Sequence, residues 1–146
     1  MKIISFFYKC LSRIYIKIGY KGTFSDDGED SILNKYFLEF KKGNYIDIGS
    51  NHPIIESNTF FFYLKNWRGI CIDPLPFLKK KYRFFRPFDL FINSGIVSNG
   101  RKLKYYYYAN HPDCSTFDPD RVENLKQIFN REPTSIKEVS TINVDD

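Results

Sequence analysis

The run Tyr45-Ile46-Asp47-Ile48 leads directly into Gly49-Ser50-Asn51-His52-Pro53, and few folds accept such a stretch. The apolar run has strand character, yet it holds Asp47, and a buried charge without a partner is costly. The turn after it is tight. Open α/β sheets bind ligands outside the carboxyl ends of their strands, and an acid here lies beside that rim. An ordinary buried strand whose aspartate caps the next loop satisfies the same residues.

The pattern recurs. Gly69-Ile70-Cys71-Ile72-Asp73 is a second apolar strand ending in an acid, and Asp89 to Asn93 reads as a third. Between the first two, Ser57 is placed to cap an aromatic helix from Asn58 to Lys65. Between the second and third, Pro74 opens a helix with Phe77, Leu78, Tyr82 and Phe85 on one face, closed by Arg86-Pro87. Strand, helix, strand, helix, strand implies parallel pairing with right-handed crossovers.

Either side of this unit the signals are different. In residues 1–22, Lys2, Lys9, Arg13 and Lys17 form one helical stripe, and Ile4, Phe7, Leu11, Ile14 and Ile18 another. That is a basic amphipathic helix, suited to packing on the domain or to lying on an anionic membrane surface. Asp27 is placed to cap a following helix with Ile32, Leu33, Tyr36, Phe37 and Phe40 on one face, ending at Lys41-Lys42-Gly43. After Asn93, the Asn99-Gly100 pair predicts a hairpin between Gly95–Val97 and Leu103–Tyr108, with two of the four tyrosines on each face. Asn110 to Asp120 is a polar loop. Arg121 to Arg131 reads as a helix, and Glu138 to Val144 as a strand. The expected fold is therefore α/β: a Rossmann-like parallel sheet with an appended β-hairpin, spanning 23–146 behind the N-terminal helix.

Composition narrows the function classes. A chain of 146 residues, 42% apolar and 27% charged, makes one globular domain. The net charge of +5 is spread along the chain, which favours a solvated basic surface over a nucleic-acid interface. Cys10, Cys71 and Cys114 are far apart and odd in number, so neither a disulfide framework nor a zinc site is expected. With only two histidines, no metal is expected. A reducing cytoplasm is the default compartment, with peripheral membrane contact through residues 1–20 as the alternative placement. No apolar run approaches the roughly 18 residues of a membrane span.

Twenty-six positions separate Asp47 from Asp73. An acid ending the second strand is placed to accept hydrogen bonds from ribose hydroxyls. A dinucleotide fold also needs a Gly-x-Gly-x-x-Gly turn that lets the backbone approach a pyrophosphate. Here only Gly49 is present. Asn51, at the second glycine position, tolerates a left-handed backbone, and Pro53 has no N–H. Such a turn is poorly suited to phosphate and better suited to a nucleoside that carries none, such as S-adenosylmethionine.

Four segments, Phe24-Ser25-Asp26-Asp27-Gly28-Glu29-Asp30, Tyr45 to Pro53, Ser57-Asn58-Thr59 and Trp67-Arg68-Gly69-Ile70-Cys71-Ile72-Asp73-Pro74, resemble the FkbM-type methyltransferases in order and spacing. The resemblance covers roughly Phe24 to the end. It implies a partial class I methyltransferase fold with S-adenosylmethionine as cofactor, and methyl transfer to a hydroxyl of a sugar or other glycan or natural-product acceptor. It implies that Asp47, Gly49 and Asn51 line the methionine and sulfonium end, with Ser50 and Pro74 in the same motifs. Asp73 would hold the ribose, Asn93 and Ser94 would lie near the adenine, and Glu29 would face the same pocket. The family continues past the segment resembling Val139 to Asp146 with a strand carrying an Asp-x-Glu-Gly type motif. Against that pattern the chain looks like the cofactor-binding half, truncated at its C-terminus. The expectation is marginal stability, an open sheet edge and weak or no catalysis alone. Two other classes compete: a nicotinamide-dependent oxidoreductase, and a single-stranded RNA module using Tyr105 to Tyr108 as a stacking strand.

Overall fold

The computed structural model describes residues 23–98 and 102–143. The helix expected over 1–22, the Asn-Gly turn at 99–101 and the last three residues lie outside the described residues. Elements follow in the order α1 (Glu29–Tyr36), β1 (Asn44–Ile48), α2 (Phe60–Leu64), β2 (Arg68–Ile72), α3 (Leu78–Phe85) and β3 (Leu90–Ile92). Then come β4 (Gly95–Val97), β5 (Leu103–Tyr107), a 3-10 turn (Pro112–Cys114), α4 (Pro119–Phe129), β6 (Ser135–Val139) and β7 (Thr141–Asn143).

The expected α/β unit is present. β1, β2 and β3 form a parallel sheet in that order, in register at Asp47↔Cys71 and Cys71↔Phe91. Side chains alternate across it. Tyr45, Cys71 and Phe91 face the covered side, where Leu75 and α3's Leu78 and Tyr82 build the main core; the Tyr82 and Phe91 rings stack at 4.6 Å. The opposite side carries Ile46, Ile70 and Leu90 in one row and Ile48, Ile72 and Ile92 in the next. Ile46 is 66%, Ile48 64% and Leu90 57% exposed.

Gly69 is demanded by packing. A Cβ there would collide with the ring of Tyr45, its register partner on β1. Gly69→Ala is expected to cost about 1–3 kcal/mol through overpacking, read as a lower urea midpoint with an unchanged slope.

The hairpin is a correction. β4 pairs with β7 in parallel, and β5 pairs with β6 antiparallel, Leu103 opposite Val139 and Tyr107 opposite Ser135. The strand expected from Glu138 to Val144 is accordingly two strands broken at Ser140, whose carbonyl accepts the Gly95 N–H. Burial of the tyrosines outweighs the local turn signal. Tyr105 and Tyr107 join the main core, while Tyr106 and Tyr108 pack with Cys114 and Leu125 in a second one. Two tyrosines on each face is what the alternation predicted.

Helix boundaries shift for identifiable reasons. α4 starts at Pro119 because Asp118 caps it, accepting the Asp120 N–H at 2.9 Å, with proline at the first position. α3 begins at Leu78, not Pro74. α2 begins at Phe60, not Asn58, with Thr59 rather than Ser57 as its N-cap, although Ser57 Oγ accepts the Phe60 N–H. α1 ends at Tyr36, and Gly28 at φ 83°, not Asp27, is its N-cap. Most of its expected core face is exposed; only Phe37 makes edge contacts with Phe62 and Trp67.

Candidate functional site

The first turn is built to face inward. Gly49 takes φ 70° and Asn51 φ 42°, left-handed values that glycine and asparagine accept most easily. The Gly49 and Ser50 N–H groups both donate to the Ile72 carbonyl, at 2.9 and 3.1 Å. The Asn51 N–H donates to Asp73 Oδ2 at 3.0 Å. The next turn does the same from the other side, with the Leu75 N–H on Asp73 Oδ1 at 2.9 Å. Asp73 thus ties the ends of β1 and β2 together, and each of its oxygens keeps a lone pair for another donor.

Above this rim lies a cavity of about 380 Å³. Gly49, Asn51, Asp73, Pro74 and Leu75 form one wall, and Tyr105 with the loop from Pro112 to Asp118 forms the other. That loop hangs on β5: Tyr106 and Thr116 exchange backbone hydrogen bonds, the Tyr108 N–H donates to Ser115 Oγ, and the Phe117 and Tyr105 rings meet at 4.8 Å.

Of the nine expected cofactor residues, Gly49, Asn51, Asp73 and Pro74 line this cavity. The other five lie off its lining. Asp47 points to the covered face of the sheet and accepts a hydrogen bond from Thr59 Oγ1. Ser50 is buried, its carbonyl accepting the Tyr82 hydroxyl at 3.1 Å. Asn93 supports the rim from outside, donating to the Asp73 carbonyl at 2.9 Å. Ser94 is buried and donates to the Ser140 carbonyl at 3.0 Å. Glu29 sits in the first turn of α1 and accepts the Asp27 N–H. Its neighbour Asp30 is fully buried and gathers Thr23 Oγ1, the Phe24 N–H and Ser25 Oγ, so the acids of this segment close a turn.

Sequence reasoning missed two features. Phe117 and its loop read only as polar connection, although a lone aromatic among polar residues was a usable signal. Arg86 gave none. Its guanidinium is fully buried: Nε pairs with Asp89 Oδ2 at 2.7 Å, Nη2 donates to Tyr45 Oη and Thr59 Oγ1 at 2.8 and 2.9 Å, and Nη1 reaches Ser57 Oγ at 3.3 Å. Asp89 in turn accepts the Gly69 N–H and the Tyr45 hydroxyl. This network pins the β1–α2 loop, and so the first turn, to β2 and α3.

Burial pushes the Asp73 carboxyl above its ordinary value of 3.8, against the two backbone N–H groups that pull it down. Burial does the same at Asp47, opposed by Thr59 and Arg86. A raised acid takes up its proton first in the folded state. The contribution of both groups to stability therefore rises as pH falls from neutral through their folded values, and levels off near 3.8. Ligand hydroxyls that donate to an ionised Asp73 follow the opposite sign. Affinity in this cavity is expected to fall on acidification at a pH above 3.8, checked by calorimetric titration across that range.

Among the described residues no helix is long and apolar enough to cross a membrane, and no three His, Cys, Asp or Glu side chains converge as metal ligands. No family model, curated protein or solved structure matches the chain.

Proposed function

We propose that this domain binds S-adenosylmethionine in the 380 Å³ cavity and serves methyl transfer to a hydroxyl of a sugar, other glycan or natural-product acceptor. One observation carries the reading. The N–H groups of Gly49, Ser50 and Asn51 are all spent on Ile72 and Asp73, and Pro53 has none. The turn offers no nest for a phosphate, and no helix starts there, since α2 begins at Phe60. An acid at the end of β2 beside a turn whose N–H groups are all spent suits an adenosine ribose. The same fact weighs against a nicotinamide dinucleotide, whose pyrophosphate needs those donors. The RNA reading is weakened because Tyr105 and Tyr108 are buried and Tyr106 and Tyr107 half-buried, leaving no open stacking strand. In this reading Asp73 accepts the ribose hydroxyls and Gly49 and Asn51 border the methionine end. Bound there, S-adenosylmethionine would supply an electrophilic methyl group and leave as S-adenosylhomocysteine while the acceptor hydroxyl gives up its proton to solvent, so that positioning would be the protein's main contribution.

The test is calorimetric titration of the folded protein with S-adenosylhomocysteine and, separately, with reduced nicotinamide dinucleotide. Heat with the first and none with the second is expected. No heat with S-adenosylhomocysteine ends the cofactor assignment.

A further inference from the structure

α3 lies on the covered side of the parallel sheet and buries Leu78 and Tyr82 there. At the helical repeat, Lys79, Lys80, Arg83 and Phe84 fall on the side opposite those two, and all four are exposed. The stretch from Pro74 to Phe88 holds five cations and no acid. Arg86 is turned inward onto Asp89. Lys81, on the flank, lies 5.6 Å over the Phe77 ring, and both line a small cavity of about 170 Å³. The other three cations stand in water. Among the described residues no carboxylate pairs with Lys79, Lys80 or Arg83; the ion pairs there are Arg86 with Asp89 and Lys126 with Glu132.

Phe84 is out of keeping with a solvated charged face. It is 62% exposed and rests edge-on against Phe85, with ring centroids 4.9 Å apart. The buried side of α3 is already filled by Leu78 and Tyr82, so packing within the domain does not account for a phenyl ring at this position.

We propose that this outward face of α3 is a docking surface for an anionic membrane. Charge complementarity supplies the first argument. Three cations that the protein leaves unneutralised are gathered within two turns, and anionic headgroups attract each Lys or Arg held near them. Shape and the exposed ring supply the second. A helix lying on a sheet presents a convex ridge, which can meet a planar surface. Proteins that bind single-stranded nucleic acid instead hold the backbone in a groove and stack successive bases on several rings. A lone ring among cations gains by leaving water for the boundary of headgroups and acyl chains, as the apolar residues of interfacial helices do. This face is separate from residues 1–20, and the inference does not rest on the methyl-transfer reading.

The experiment is cosedimentation of the full chain with vesicles of phosphatidylcholine alone, and with vesicles that also contain about 30% phosphatidylserine. Binding to the anionic vesicles, reduced by added salt, and little binding to the neutral ones are expected. Lys79→Glu, Lys80→Glu and Arg83→Glu together are expected to weaken the anionic-vesicle binding roughly tenfold or more. Phe84→Ser is expected to weaken it roughly threefold at low and high salt alike, because the ring's contribution is apolar. All four positions face water, and circular dichroism establishes that the variants are folded. No binding to anionic vesicles overturns the proposal. So does binding that survives the three α3 reversals but is lost when Lys9, Arg13 and Lys17 are each replaced by Glu. Tighter binding to single-stranded oligouridine than to the vesicles, lost with the α3 reversals, also overturns it and gives the face to nucleic acid.

Discussion

Asp73→Asn is expected to weaken S-adenosylhomocysteine binding by on the order of 100-fold. A carboxylate that accepts two ribose hydroxyls makes two charge-assisted hydrogen bonds, together about 3 kcal/mol or more, and each 1.4 kcal/mol is roughly tenfold in Kd. The variant also disturbs the rim. Asp73 accepts the Asn51 and Leu75 N–H groups on separate oxygens, and a carboxamide can accept only one of them. Circular dichroism and a urea midpoint establish that the variant is folded; calorimetry then reads the affinity. Equal affinity in a folded variant would remove Asp73 from the ribose role while leaving the cavity in place.

The second large effect is structural. Arg86→Met is expected to destabilise the domain by about 3–5 kcal/mol, because it leaves the Asp89 carboxylate buried without its counter-charge. Domains of this size hold only about 5–15 kcal/mol in total. Urea unfolding followed by circular dichroism should show the native baseline shortened or lost. The paired variant Arg86→Met with Asp89→Asn removes both charges and is expected to recover part of the deficit, since replacing a whole buried ion pair costs far less than breaking it. Because the network also holds the Tyr45 hydroxyl and Thr59, recovery is incomplete. An unchanged midpoint in the single variant would show that water reaches Asp89.

The parallel unit from Asn44 to Ile92 was legible because its signals are local and repeated. Apolar runs of strand length alternate with aromatic helical faces, and each strand's closing residue falls at the rim. Asp73, Gly49 and Asn51 were legible for the same reason: the backbone conformation and the strand end both restrict what can stand there. Contacts distant in sequence were not. Tyr107 pairs with Ser135 and Gly95 with Thr141, and no local pattern near Asn99-Gly100 carries that information. Asp47 shows the limit at a single residue. Its place in an apolar strand correctly marked it as needing a partner, but that partner is Thr59, itself bonded to Arg86, on the covered face of the sheet. The cost of burying a charge was readable; which neighbour offsets it was not.

The larger cavity has walls of separate construction. One belongs to the ends of β1 and β2, and the other is a loop carried by β5, which pairs with β6 and touches the parallel sheet through side chains. A molecule seated between them acts as a cross-brace. Its binding free energy is added to the resistance of the whole domain to heat, by about 2.7 kcal/mol at 100 times Kd. A ligand seated between the walls should therefore reveal itself as a rise in melting temperature before any reaction has been found for it.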